Sequence, residues 1–103
     1  MTKQEAIDAL SDGHTIYQVA YAKEICETLG VKLPKKMIRK FYSDPPGTFK
    51  GLTMKVEGDE GVSSLALSEW VASSLGVADQ AGSFHGRGSQ ARAYATAVEK
   101  VLS

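Results

Sequence analysis

Cysteine is nearly absent from this 103-residue chain: Cys26 stands alone, and His14 and His85 are the only histidines. One cysteine closes no intramolecular disulfide, which is the usage expected in a reducing compartment, and one cysteine with two histidines does not complete a structural zinc set. Cys26 lies on an apolar helical stripe, where a buried core residue is expected rather than a nucleophile. Long apolar runs are missing as well. No stretch approaches the roughly 18 residues of a membrane span, and the opening Met1-Thr-Lys-Gln-Glu5 is too polar for a signal peptide, so a cytoplasmic protein with no membrane partner is expected. No pair of carboxylates stands in a recognisable catalytic arrangement. His14 sits beside a turn glycine, and Asp59 and Glu60 fall in an expected turn, so the chain reads as a non-enzyme needing no cofactor and no metal.

An excess of one charge sign is also lacking, since 12 Lys and Arg balance 12 Asp and Glu. The balance hides a strong segregation. Residues 1–31 hold two lysines against five acids, residues 32–55 hold seven basic residues against Asp44 alone, and residues 56–103 hold three basic residues against six acids. A basic middle between acidic ends places a positive patch on a neutral protein, which governs encounters with acidic or phosphate-rich partners more than it governs the fold.

The hydrophobic content, 43%, is that of a globular chain, and the length suits one domain. Helices are expected near residues 3–11, 15–29, 35–42, 69–75 and 89–102. Ala6, Ile7 and Leu10 form the stripe of the first, with Thr2 and Glu5 at capping-box spacing and Asp12-Gly13 as its stop. In the second, Ile16, Val19, Ala22, Ile25, Cys26 and Leu29 recur at helical steps before a Gly30 cap. Pro34 favours the start of a short third helix, halted by the rigid Ser43-Asp-Pro-Pro-Gly47. Leu52, Met54 and Val56 then alternate with polar residues. With a turn at Gly58-Asp-Glu-Gly61 and a return through Val62 to Leu67, they predict a β-hairpin at about 49–67. Ser68 reads as the N-cap of the helix that follows, which ends at Gly76. The last helix carries Ala91, Tyr94, Ala95, Val98 and Leu102 on one face, and its alanines permit close packing, including a homodimer through residues 89–102. The expected class is α+β, four to five short helices packed with one antiparallel hairpin.

Two stretches carry candidate contacts. Lys32, Lys35, Lys36, Arg39 and Lys40 place five positive charges within nine residues, with Tyr42 close by as a stacking group. Helical spacing would bring Lys32, Lys36 and Lys40 onto one face, able to meet phosphate or a partner's carboxylates. The glycine-rich run Ala78 to Gly88 holds Phe84, His85 and Arg87, the pieces of a loop contact. It lacks the Gly-Lys-Ser of a phosphate-binding loop.

Ile25 to Val31 before the basic segment resembles the first half of a helix-turn-helix, but Lys36 falls where the second helix needs an apolar residue. Leu67 to Val77 matches the first half better, and then runs into the glycine-rich loop. Met1 to Ile16 resembles the first helix and turn of assorted small phage and prophage proteins. Gln18 to Pro34 is similar to short helical modules appended to bacterial and phage DNA-metabolism proteins. In size and in lacking catalytic residues the chain looks like anti-CRISPR-type inhibitors. That resemblance implies a phage or mobile-element protein that docks on a host protein or ribonucleoprotein complex engaged in nucleic-acid processing or defence, and that meets nucleic acid there. A helix-turn-helix DNA-binding regulator is the alternative.

Overall fold

The computed structural model describes residues 1–41 and 60–103; Tyr42 and the first strand of the expected hairpin lie outside them. Within the described residues the class is α+β: four helices and a three-stranded antiparallel sheet.

Helix α1 (Lys3–Leu10) begins as its sequence predicts. Thr2 Oγ1 accepts the Glu5 amide at 3.1 Å and Glu5 Oε1 accepts the Thr2 amide at 3.0 Å, so two otherwise unpaired helix-end donors are satisfied. The amide bond from Thr2 holds the Glu5 carboxyl below its ordinary pKa. Ala6, Ile7 and Leu10 are buried.

The helix expected from Thr15 starts only at Val19. Residues Ile16–Gln18 form strand β1, and α2 runs Val19–Thr28. The reason is tertiary. Ile16 is buried in the sheet, the Ser64 amide donates to Thr15 O at 2.8 Å, and the strand partner supplies the backbone bonds that a helical turn would have made. Tyr17 folds against Tyr21, ring centroids 4.9 Å apart, and donates its hydroxyl to Ala9 O at 2.9 Å, tying β1 to α1. Burial raises the Tyr17 phenol well above its ordinary pKa.

After α2 the basic segment is not the expected helix 35–42. Lys35–Met37 makes one 3-10 turn, and Arg39–Lys40 is strand β2. Strand β3 (Glu60–Ser63) lies between β1 and β2, pairing Tyr17 with Val62 on one side and Arg39 with Gly61 on the other. Glu60 and Gly61, expected in a turn at 58–61, lie in the central strand instead. A Cβ on Gly61 would lie 2.7 Å from Ile16 Cγ2 and 2.8 Å from Tyr17 O, so the close approach of β1 requires glycine there.

Helix α3 (Ser64–Ser74) follows β3 directly, so Ser64 to Leu67 are helix rather than the return strand of a hairpin. Ser68, expected as an N-cap, sits within the helix, fully buried, and donates its hydroxyl to Leu65 O at 2.8 Å. Helices α2 and α3 end alike. The Val31 amide donates to Cys26 O and the Val77 amide to Ala72 O, both at 2.8 Å, around Gly30 and Gly76 at φ of 75° and 74°. A second 3-10 turn, Ala78–Gln80, leads to α4 (Arg87–Leu102), which begins two residues before the expected start.

Helix α3 packs chiefly against α4, and α1 lies against both. Leu67 and Val71 of α3 meet a core completed by Ala91, Ala95 and Val98 of α4, Leu10 of α1, Ile25 and Cys26 of α2, and Val62 of β3. Each large aliphatic side chain among these contributes about 1.5–3 kcal/mol by its burial. The alanine face of α4 is thus spent on the core. Among the described residues no helix is long and apolar enough to cross a membrane.

Candidate partner-binding surfaces

Lys32, Lys35, Lys36, Arg39 and Lys40 are all exposed, but they do not share the helical face their spacing suggests. Pro34 precedes a single 3-10 turn, closed by the Met37 amide on Pro34 O at 3.1 Å and the Ile38 amide on Lys35 O at 3.1 Å. The chain is extended from Ile38, so Arg39 and Lys40 leave the strand on opposite faces. Lys40 stands opposite Glu60 in the sheet register, and Arg39 bends back to donate to Lys36 O.

The organising residue of this edge is Trp70 on α3. Its indole Nε1 donates to Lys32 O at 3.0 Å, and the Lys36 ammonium lies 5.4 Å from the ring centroid. One side chain therefore clamps the basic segment at two points, with the cation over the ring face adding about 0.5–1 kcal/mol at an exposed site. Lys32 and Lys35 line a groove with Lys23, Leu33, Ile38 and Trp70, so the cations flank an apolar floor; Glu27 and Glu60 also border it. Among the described residues no carboxylate pairs with any of the five basic side chains; the ion pair present joins the Met1 ammonium to Glu24 at 3.3 Å. Trp70 is the residue that sequence reasoning missed. As the chain's single tryptophan it was the available signal.

The loop contact divides. Phe84 and His85 are exposed, Phe84 at 55%. Arg87 turns inward instead: Nε donates to Gly13 O at 3.0 Å and Nη2 to Ser63 Oγ at 2.9 Å, joining the α1–β1 turn, β3 and the start of α4. It ties the three together. Gln90 fixes the loop from the helix side, accepting the Phe84 amide at 2.9 Å and donating to Gly82 O at 3.0 Å. A second groove of about 420 Å³ runs between this loop and the outer side of α4, past Phe84, Ala93 and Ala97, with Arg92 and Lys100 on its rim.

Neither half-match to a helix-turn-helix is completed. A single 3-10 turn and the two-residue strand β2 follow α2 where a recognition helix is needed, and the chain from Leu75 to Gly86 separates α3 from α4, far longer than that motif's turn. Cys26 is 1% exposed and burial pushes its thiol up to about 11, the opposite of what a nucleophile requires. No family model, no curated protein and no solved structure matches the chain.

Proposed function

We propose that this chain is a small non-enzymatic docking protein of phage or mobile-element type, acting in the host cytoplasm on a nucleic-acid-processing or defence complex in the manner of an anti-CRISPR inhibitor. One observation carries the reading: the Trp70 clamp holds the segment from Lys32 to Lys36 in place while its ammonium groups stay exposed and, among the described residues, free of carboxylate partners. Positive groups presented on a fixed frame meet an acidic surface or bound nucleic acid with little ordering to be done at the moment of contact. The docking reading is favoured over the rival regulator reading by the 3-10 turn and short strand that follow α2 in the place of a recognition helix.

The test is capture of a host complex by tagged protein at about physiological salt, compared with the Lys32→Glu/Lys35→Glu variant, alongside a gel shift of duplex DNA with the protein alone. A nuclease or other nucleic-acid-bound complex should be retained by the native protein and lost by at least about tenfold in the variant, in line with reversing charges at an interface. Equal capture by the variant, or no such complex at all, overturns the reading. A salt-steep shift of bare duplex DNA would instead restore the regulator.

A further inference from the structure

We propose that the groove between α4 and the loop ending at Phe84 is a second docking site, whose occupant is an acidic amphipathic helix of a partner protein. It shares no lining residue with the basic edge, so the inference stands apart from the function proposed above.

Phe84 is the most exposed large hydrophobic side chain among the described residues, yet its backbone is not loose. Gln90 holds the loop at Phe84 and just before it, accepting the Phe84 amide and donating to Gly82 O. Gly82 lies at φ of 75°, and a Cβ there would come 3.7 Å from the Phe84 ring, so the ring rests close over that glycine. An aromatic side chain on a held backbone but left in water has the character of a binding anchor: it presents a large apolar area on only two side-chain torsions. Beside it Ala81, Ala93 and Ala97 give an apolar floor of about 420 Å³.

The rim decides the occupant. Arg92, Thr96 and Lys100 fall at successive four-residue steps, so they form one line along α4, with the two cations about 12 Å apart at its ends. Both are exposed, and among the described residues neither forms an ion pair. Among the described residues no acid lines the groove, not even Asp79 and Glu99, which adjoin its lining residues Gln80 and Lys100 in sequence. An apolar floor with a positive group at each end complements a helix whose apolar stripe seats on Phe84 and the alanines while its carboxylates, two turns apart, reach Arg92 and Lys100. A basic or purely apolar helix gains nothing from that rim.

The probe is a capped synthetic peptide of about five helical turns, with leucines at i, i+3, i+4 and i+7 and glutamates elsewhere. Its controls are a twin with lysine for glutamate and a version of the same composition with the leucines scrambled. Titration into ¹⁵N-labelled full-length protein should shift the amides of Phe84, Ala93 and Ala97 for the acidic peptide alone. Phe84→Ala and Arg92→Glu/Lys100→Glu should each weaken it by at least about tenfold, the loss typical of an interface anchor. Both variants alter exposed side chains, and an unchanged melting temperature verifies that they fold. Lys32→Glu/Lys35→Glu should leave the affinity unchanged, which separates this site from the basic edge. The proposal is overturned by absence of shifts at millimolar peptide, by equal binding of the scrambled or lysine peptide, or by shifts confined to Lys32–Lys40. It is also overturned if sedimentation shows that the groove is filled by a second copy of the chain in a Phe84-dependent dimer.

Discussion

Gly13→Ala should be far more damaging than Gly30→Ala, although both glycines are left-handed, with φ of 87° and 75°. A Cβ on Gly13 would lie 2.5 Å from Arg87 O, 2.7 Å from Arg87 C and 2.9 Å from Gly88 Cα. Those are backbone atoms in the first turn of a 16-residue helix, unable to swing aside as a side chain would. A Cβ on Gly30 meets nothing within 4 Å. Alanine at either position bears the left-handed penalty of about 1–2 kcal/mol. At Gly13 the turn must also move away from α4, which stretches the bonds from Arg87 to Gly13 O and Ser63 Oγ. Bonds from a charged donor are worth about 1.5–3 kcal/mol each, and partial relaxation recovers some of that, so the Gly13 variant should lose about 2–4 kcal/mol more than the Gly30 variant. Urea titrations of the two variants read this gap directly. In melting temperature it amounts to about 10–25 °C for a domain of this size. Losses that agree within about 0.5 kcal/mol would refute the interlocked junction, and with it the role given to Arg87.

Trp70→Phe keeps a ring beneath Lys36 but removes the donor to Lys32 O, and should cost about 1 kcal/mol while speeding amide exchange at Met37 and Ile38, the donors of the 3-10 turn. Leu67→Ala, at a side chain with no exposure, should destabilise by about 2–5 kcal/mol in urea titrations. Cys26 should resist an aromatic disulfide reagent at neutral pH in the folded protein and react at once in denaturant. Its pH dependence has a definite sign. The unfolded thiol loses its proton near the ordinary 9.0 and the folded one only near about 11, so above pH 9 the native state binds more protons and stability falls as pH rises through that window. Tyr17, raised in the same direction, adds to the fall above its ordinary 10.0, and Cys26→Ala should make the alkaline limb shallower between pH 9 and 11. A flat profile across that range in the native protein would contradict the burial of both groups.

Helix ends were the most legible part of the fold. The capping box at Thr2 and Glu5 and the glycine caps at Gly30 and Gly76 depend on bonds between residues a few positions apart, and they form as the local pattern indicates. The errors cluster where a segment's partner is distant. Ile16 to Gln18 carries helical periodicity yet pairs with residues 61–63, and the basic segment is drawn into a strand by residues 60 and 61. In the candidate site, the basic charges could be read from residue type, and the exposure of Phe84 and His85 from the glycine-rich run that carries them. The inward turn of Arg87 could not, because its acceptors lie 74 and 24 positions away. The groove rim at Arg92 and Lys100, eight residues apart, has no sequence signal of its own and takes meaning only with Phe84 across from it.

By itself, the amino-acid order determined the class of fold, four of the five expected helices with their C-terminal stops, and the segregation of positive charge into one stretch. These follow from short-range periodicity and from capping chemistry that acts within one turn. Only the tertiary structure decided which face that charge takes and which side chains hold it. An edge-strand pairing with residues 60 and 61 outweighs the helical preference of a short lysine-rich segment, and a single indole 38 residues away from Lys32 sets where its cations stand.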